Sequence, residues 1–295
     1  RIRGAARRLM RRLLLLAPPF LWLLAFVAAP VAILLAIALA EPAMGVPPFT
    51  PPLAWDGEGP RWRGTLLSFA ILAEDRFYLD AFLRSLRVAF LSALLCLLLA
   101  YPMALGILRA RPSRRLPLLL LVLLPFWTGF LLRIGAWIGL LRDEGWLNGV
   151  LRGLGLVEAP VPMLYTDLAL YLGMVHSYLP FAVLPLYAAL SRLDPALEEA
   201  AADLGARPAV AFLTVTLPLS FPGAAAAFLL VFIPAAGEFV IPDLLGPPEA
   251  QLVGRMLWGE FFQNRDWPLA AALAVALLAL LVLPIRLFQR LEARP

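Results

Sequence analysis

Six apolar stretches, each long enough to cross a bilayer as a helix, constrain this chain more than any other feature: roughly 13–40, 88–108, 116–141, 167–190, 221–245 and 268–285. A hydrocarbon core of about 30 Å needs about 20 apolar residues in helical form. The stretches are continuous rather than alternating, so they read as helices and not as strands of a membrane barrel. The expected fold class is all-α, a polytopic membrane protein with six transmembrane helices. Hydrophobic residues make up 62% and charged residues 15% of the chain, against about 45–50% and about 25% in an average soluble domain. That balance excludes a soluble enzyme and a disordered chain.

Charge sets the orientation. With the N-terminus inside, segments 1–12, 109–115, 191–220 and 286–295 hold 15 arginines and 5 acids, whereas 41–87, 142–167 and 244–267 hold 9 arginines and 13 acids. The positive-inside rule then places both termini in the cytoplasm, for a bacterium across its inner (cytoplasmic) membrane. The first stretch follows six arginines and ends in Ala38-Leu39-Ala40, imitating a signal-peptidase site. At about 28 residues it is too long for a signal h-region of about 7–15, and it reads as a retained helix. The chain reads as one membrane domain, 1–295, that meets lipid rather than nucleic acid. Its outer segment, 41–87, starts Pro-rich and ends as a short amphipathic helix running into the second span. The single cysteine, Cys96, sits in an apolar run and offers neither an intrachain disulfide nor a metal cluster. No metal site is expected, and the one histidine, His176, reads as a packed side chain.

The inner loop 191–220 is more than a connector. Asp194-Pro195 has the form of a helix N-cap followed by proline in the first turn. Helix formers run to Leu204, and Gly205 falls where a left-handed C-terminal cap would. Arg207-Pro208 restarts a second short helix, which Pro218 and Pro222 are expected to end before the fifth span. Leu197, Ala201 and Leu204 make one stripe of the first helix, with Glu198, Glu199 and Asp203 on other faces. Such a helix either enters a groove on a partner or lies as a solvated connector.

The same loop carries Glu199-Ala200-Ala201, three residues, Gly205, nine residues, then Val215-Thr216-Leu217-Pro218. It resembles the loop of bacterial ABC importer permeases, Glu-Ala-Ala, three residues, Gly, nine residues, Ile-x-Leu-Pro, with valine in place of isoleucine. GMVHSYLPFAVLPLYAAL (173–190) and FLLVFIPAAGEFVIPDLLG (228–246) are similar to the permeases of spermidine/putrescine importers, and the likeness covers roughly residues 80–285. Relatives of that group import iron(III), sulfate-like anions, phosphonates and opines, so these solutes are the alternative to polyamines. A membrane-embedded transferase is a remote alternative, resting only on the acids of the inner loop.

The resemblance implies a type I importer fold, a second permease subunit that is a different chain, two ATPase subunits on the cytoplasmic side, and a periplasmic or extracellular solute-binding protein. The chain has no Gly-x4-Gly-Lys-Ser/Thr pattern and no lysine, so it is not expected to be an enzyme or to bind a cofactor. ATP and Mg would be used by the partner ATPase. By resemblance the coupling residues are Glu198, Glu199, Ala200, Ala201, Asp203, Gly205, Leu217 and Pro218.

For the solute path, ionisable groups within spans are the natural candidates. Glu238 either attracts a cation in a cavity or makes a structural hydrogen bond at a helix broken between Pro234 and Pro242. Asp243 reads as interfacial, and Trp127, Tyr171 and Tyr178 could line the path by cation–π contact. Arg133 pairs with Glu238, snorkels to the surface, or faces a partner chain.

Overall fold

The computed structural model describes residues 15–55, 57 and 59–292. Residues 13–14 of the first apolar stretch and the six arginines before it lie outside the described residues. The chain divides into two compact units: residues up to 76 with 257–278, and residues 77–256 with those from 279 on.

In the first unit, α1 (Leu15–Ala38) is apolar on every face, and the 18-residue apolar window within it buries none of its residues in the protein. A helix of that kind is stable only where lipid covers it. Beyond it the Pro-rich stretch folds into two small antiparallel hairpins, β1 (Glu41–Pro42) with β2 (Phe49–Thr50) and β3 (Leu53–Trp55) with β4 (Pro60–Trp62). The sequence reading assigned no strand there. Thr65 N–H donates to Leu39 O at 2.8 Å and closes the neck of this excursion at the end of α1. The short helix α2 (Leu67–Glu74) follows. Elsewhere in the unit, the ring of Phe261 stacks on Trp267 at 4.7 Å. Asp266 caps the helix that starts there by accepting Leu269 N–H at 3.0 Å.

The second unit begins with α3 (Arg76–Arg109), 34 residues without a break. The expected amphipathic approach and the second span are therefore one helix. The third apolar stretch differs from the single helix expected over 116–141. It forms α4 (Pro112–Trp127) and α5 (Phe130–Leu141), the latter leading into α6 (Trp146–Gly153), with an 86° bend at the junction. At the junction the backbone of Thr128 and Gly129 is extended, and Thr128 Oγ1 donates to Pro125 O at 2.6 Å in the last turn of α4.

The fourth stretch is α7 (Asp167–Leu190), capped by the Thr166 hydroxyl accepting Ala169 N–H at 3.3 Å. The loop then holds α8 (Pro195–Asp203). Next comes α9 (Pro208–Ala236), a single helix through both Pro218 and Pro222. The expectation that these prolines end a short helix is corrected here. A wide turn over Phe212–Thr216, closed by Leu217 N–H to Phe212 O, precedes Pro218 and places it in a first helical turn, where no amide proton is needed. The stretch 221–245 is in turn divided: α9 stops at Ala236, Gly237–Phe239 is non-helical, and α10 (Val240–Leu245) follows. The remaining helices are α11 (Val253–Trp258) and α12 (Trp267–Glu292), whose two halves belong to the two units.

Helices α7 and α9 make the most extensive helix pair of the second unit. Their buried residues include Ala182, Val183 and Leu186 on one and Ala224, Ala227 and Val231 on the other. Small side chains let backbones approach closely, which is how helices associate where lipid removes the hydrophobic drive.

Candidate functional site

Two places in the second unit gather the sequence-derived candidates. At one end of α7, Asp194 accepts Ala196 N–H at 3.0 Å and starts α8. The far end of α8 closes with Gly205 N–H to Ala202 O at 2.8 Å and Ala206 N–H to Ala201 O at 3.0 Å, with Gly205 at φ +84°. This is the paired-bond left-handed cap. Nothing lies within 4 Å of where a Gly205 Cβ would stand, so the site selects glycine through backbone conformation alone.

Glu198 faces inward. Thr216 Oγ1 on α9 donates to its Oε1 at 2.6 Å, and Arg109 at the end of α3 lies 3.9 Å from its Oε2. Glu199, Ala200 and Asp203 are exposed, Ala201 is half-buried, and Leu204 is 90% exposed. The loop thus fastens itself to α3 and α9 through one carboxylate and turns the next one outward. A cavity of about 360 Å³ behind α8 is lined by Leu105, Arg109, Leu193, Leu197, Glu198 and Thr216. Leu217 and Pro218 open the straight part of α9.

The second place is the break after α9. Glu238 Oε1 accepts the amides of Phe239 at 3.2 Å, Val240 at 3.0 Å and Ile241 at 3.5 Å, the free donors of the first turn of α10. Tyr178 Oη on α7 donates to Glu238 Oε2 at 2.5 Å. Glu238 thus has three amides and one phenol around its carboxylate at the break between α9 and α10. On the other side α11 presses against the break: a Cβ on Gly254 would stand 2.5 Å from Gly237 O and 2.7 Å from Glu238 O.

The remaining path candidates lie apart from one another. Tyr171 lines a cavity of about 490 Å³ with Arg84, Arg87 and Asp167, where Arg84 and Asp167 are 3.7 Å apart. Trp127 ends α4 and is 72% exposed. Asp243 pairs with Arg255 at 3.0 Å. Arg133 does not pair with Glu238. Its guanidinium lies 5.9 Å from the ring centres of both Phe126 and Phe130, and no carboxylate of the described residues lies within 4 Å of it. His176 packs edge-on against Trp137 at 5.6 Å, and Cys96 is buried.

Three polar residues that hold this architecture were not singled out from sequence. Ser85 Oγ on α3 accepts Val253 N–H at 2.8 Å and so caps α11 from far along the chain. Asn148 is fully buried and clamps Val161 through its amide at 2.8 and 3.0 Å while donating to Arg142 O at 3.2 Å. Thr216 is the third. Their surroundings hide them: Ser85 lies between Arg84 and Arg87, Asn148 in a polar connection, and Thr216 two residues after Thr214.

Apolar helices that only lipid can cover, helices broken and held by side-chain hydrogen bonds, and an exposed loop that fastens itself to its neighbours define a multi-pass helical membrane protein. Over residues 1–295 the sequence matches the family described as "Binding-protein-dependent transport system inner membrane component". The chain belongs to that family: it is the permease component of an ABC importer and a multi-pass inner-membrane protein.

It is 41% identical over 213 residues to the spermidine/putrescine transport system permease protein PotB of Haemophilus influenzae, covering 72% of this chain and 74% of that one. To PotB of Escherichia coli it is 39% identical over 217 residues, 73% of this chain and 78% of that one. A crystal structure of a bacterial alginate ABC transporter, in complex with an alginate pentasaccharide-bound periplasmic protein, matches with a TM-score of 0.72 at 18% identity, covering 99% of this chain and 96% of that one. That likeness shows the fold. The family is one of transporter permeases, so the transferase alternative falls away.

Proposed function

We propose that this chain is one of two different permease subunits of an ATP-driven importer that carries polyamines, spermidine or putrescine, into the cytoplasm. The identity of 39–41% to spermidine/putrescine permeases from two bacteria carries the substrate class. The geometry of 194–218 supports the division of labour. Glu199 and Ala200 face outward on a helix whose far end is set by Gly205, while Glu198 is tied back to Thr216. Two ATPase subunits, using ATP and Mg, would receive α8 on the cytoplasmic face, where both termini also lie. A periplasmic or extracellular binding protein would deliver the solute. Glu199 supplies the polar contact, and Ala200 and Ala201 the close approach. Asp203 flanks the contact, and Leu217-Pro218 sets the entry to the span. Tyr178, Tyr171 and Trp127 would face the solute at different depths, with Glu238 holding the break in α9 and Asp243 at its rim.

A second reading is an anionic solute. Two observations favour it: the buried cation Arg133, and 35% identity over 202 residues to the molybdenum transport system permease protein ModB of Mycobacterium bovis. The test is uptake into proteoliposomes holding the whole complex and its binding protein, with ATP on the ATPase side. ATP-dependent accumulation of labelled spermidine or putrescine is expected. Accumulation of molybdate or sulfate in their place overturns the substrate.

A further inference from the structure

Arg133 lies in the first turn of α5 and is 8% exposed. A guanidinium carries five donors. Here Nη2 reaches Thr128 O only at 3.5 Å, and Nε is buried with no partner. The rings of Phe126 and Phe130 have their centres 5.9 Å from the guanidinium. Removing one partner of a buried ion pair is strongly destabilising because it leaves such a charge uncompensated. Membrane chains keep buried charges where an anion, a cavity or another chain meets them.

The possible anions can be reduced. With Arg114 and Arg115 taken at one membrane surface, as the arginine-rich segment 109–115 leads one to expect, the residues from Leu116 to Trp127 rise about 18 Å at about 1.5 Å each. In a core of about 30 Å the bend at Thr128–Gly129 is then about 12 Å short of the opposite headgroups, and tilt widens that gap. Lipid phosphate is out of reach. A polyamine has the same sign as Arg133 and is repelled. Pairing within the chain is absent among the described residues. Meanwhile the bend presents an uncovered apolar corner around the cation: Trp127 is 72%, Leu131 67% and Leu132 76% exposed.

We infer that Arg133 is half of an intersubunit ion pair, and that the second permease subunit covers the α4–α5 corner and brings a carboxylate to this guanidinium. The inference rests on the proposed importer assembly. A helix of the partner laid over Leu131 and Leu132 closes the remaining opening at Arg133 and neutralises it where water is excluded. The pair thereby selects its partner: a permease without an acid at that depth leaves two faults, an unpaired charge here and an apolar corner poorly matched.

The experiment co-expresses the tagged chain with the second permease, the ATPase and the binding protein, and isolates the complex in nanodiscs. Wild type must retain a second permease chain; if it does not, the assembly reading itself fails, whatever Arg133 does. Arg133→Met and Arg133→Glu are expected to lower retention of the second permease at least tenfold while the tagged chain stays monodisperse. Arg133→Lys keeps most of it. Full retention and wild-type uptake in Arg133→Met overturns the inference, and so does full retention with lost uptake, which would place the residue in the solute path. Where Arg133→Met fails to fold, each acid within the partner's spans is changed to its amide beside native Arg133. One such change is expected to cut retention tenfold, and none doing so overturns the pair.

Discussion

Thr216 on α9 donates a hydrogen bond to Glu198 on α8 at 2.6 Å, and this bond ties the exposed helix α8 to the long helix behind it. Arg109 stands 3.9 Å from the other carboxylate oxygen, at the end of α3. The loop carries two adjacent glutamates, and this bond assigns them opposite duties: Glu198 fastens, while Glu199 is left facing out.

Cutting that bond should loosen the loop. A hydrogen bond to a charged group contributes about 1.5–3 kcal/mol. Glu198 is nearly half exposed, so about 1 kcal/mol is the discounted expectation. Glu198→Ala and Thr216→Val are each expected to lower thermal stability, and the double variant to be no worse than the poorer single one. A double-mutant cycle on thermal unfolding checks this, and strict additivity would remove the bond from the account.

Gly205 makes a purely conformational prediction. At φ +84° with open space where a Cβ would stand, a side chain meets backbone strain and nothing else. Gly205→Ala should cost roughly 1–2 kcal/mol, Gly205→Val more, and Gly205→Asn less, because asparagine tolerates this region. The order Asn, Ala, Val should reappear in ATP-driven uptake. Equal activity of all three variants would mean that the cap does not matter to coupling.

Tyr178→Phe removes one partner of Glu238, and Glu238→Gln weakens what the others can hold. Both should loosen the break between α9 and α10, and their effects should overlap rather than add, since both act on the Tyr178–Glu238 bond. A wild-type KM for solute with reduced uptake rate is expected for Tyr178→Phe. A raised KM in Glu238→Gln with no change in thermal stability would instead assign the carboxylate to solute binding.

Asn148 clamps the segment after α6 with three hydrogen bonds from a fully buried side chain. Asn148→Asp loses both donated bonds and places an acceptor against two carbonyls, so it should be more damaging than Asn148→Ala. Either should cost more than about 1 kcal/mol, the net value of one ordinary hydrogen bond. Melting of the purified complex measures both.

Asp243 and Arg255 lie 3.0 Å apart with partly exposed side chains. Such pairs contribute about 0–1 kcal/mol, so Asp243→Asn should leave stability and uptake near wild type, and added salt should erase any difference.

Much of this was legible in the residues. The apolar runs identify the helices because lipid permits no other backbone arrangement. Asp194-Pro195 and Gly205 mark the ends of α8 because caps are local chemistry. What escaped depends on partners distant in sequence or on the local course of the backbone. Pro218 and Pro222 read as helix ends, yet the wide turn at Phe212–Thr216 absorbs the first and α9 continues through both. The bend after Trp127 lies in the extended backbone of Thr128 and Gly129, where the Thr128 hydroxyl reaches back to Pro125, and no hydropathy pattern records it. The role of Ser85 as cap of α11 is invisible until α3 and α11 are neighbours. Glu238 was open between two readings because its amide donors follow it directly, while its tyrosine donor lies sixty positions earlier.

The unbroken run of α9 gives the Tyr178–Glu238 bond a mechanical meaning. Its 29 residues reach about 43 Å at about 1.5 Å per residue, from the loop end at Pro208, through the wide turn at Phe212–Thr216, to the break after Ala236. The Glu238 carboxylate is a rivet there: one oxygen holds the first amides of α10 and the other is held by the phenol on α7, so swinging α10 away from the end of α9 pulls on α7 as well.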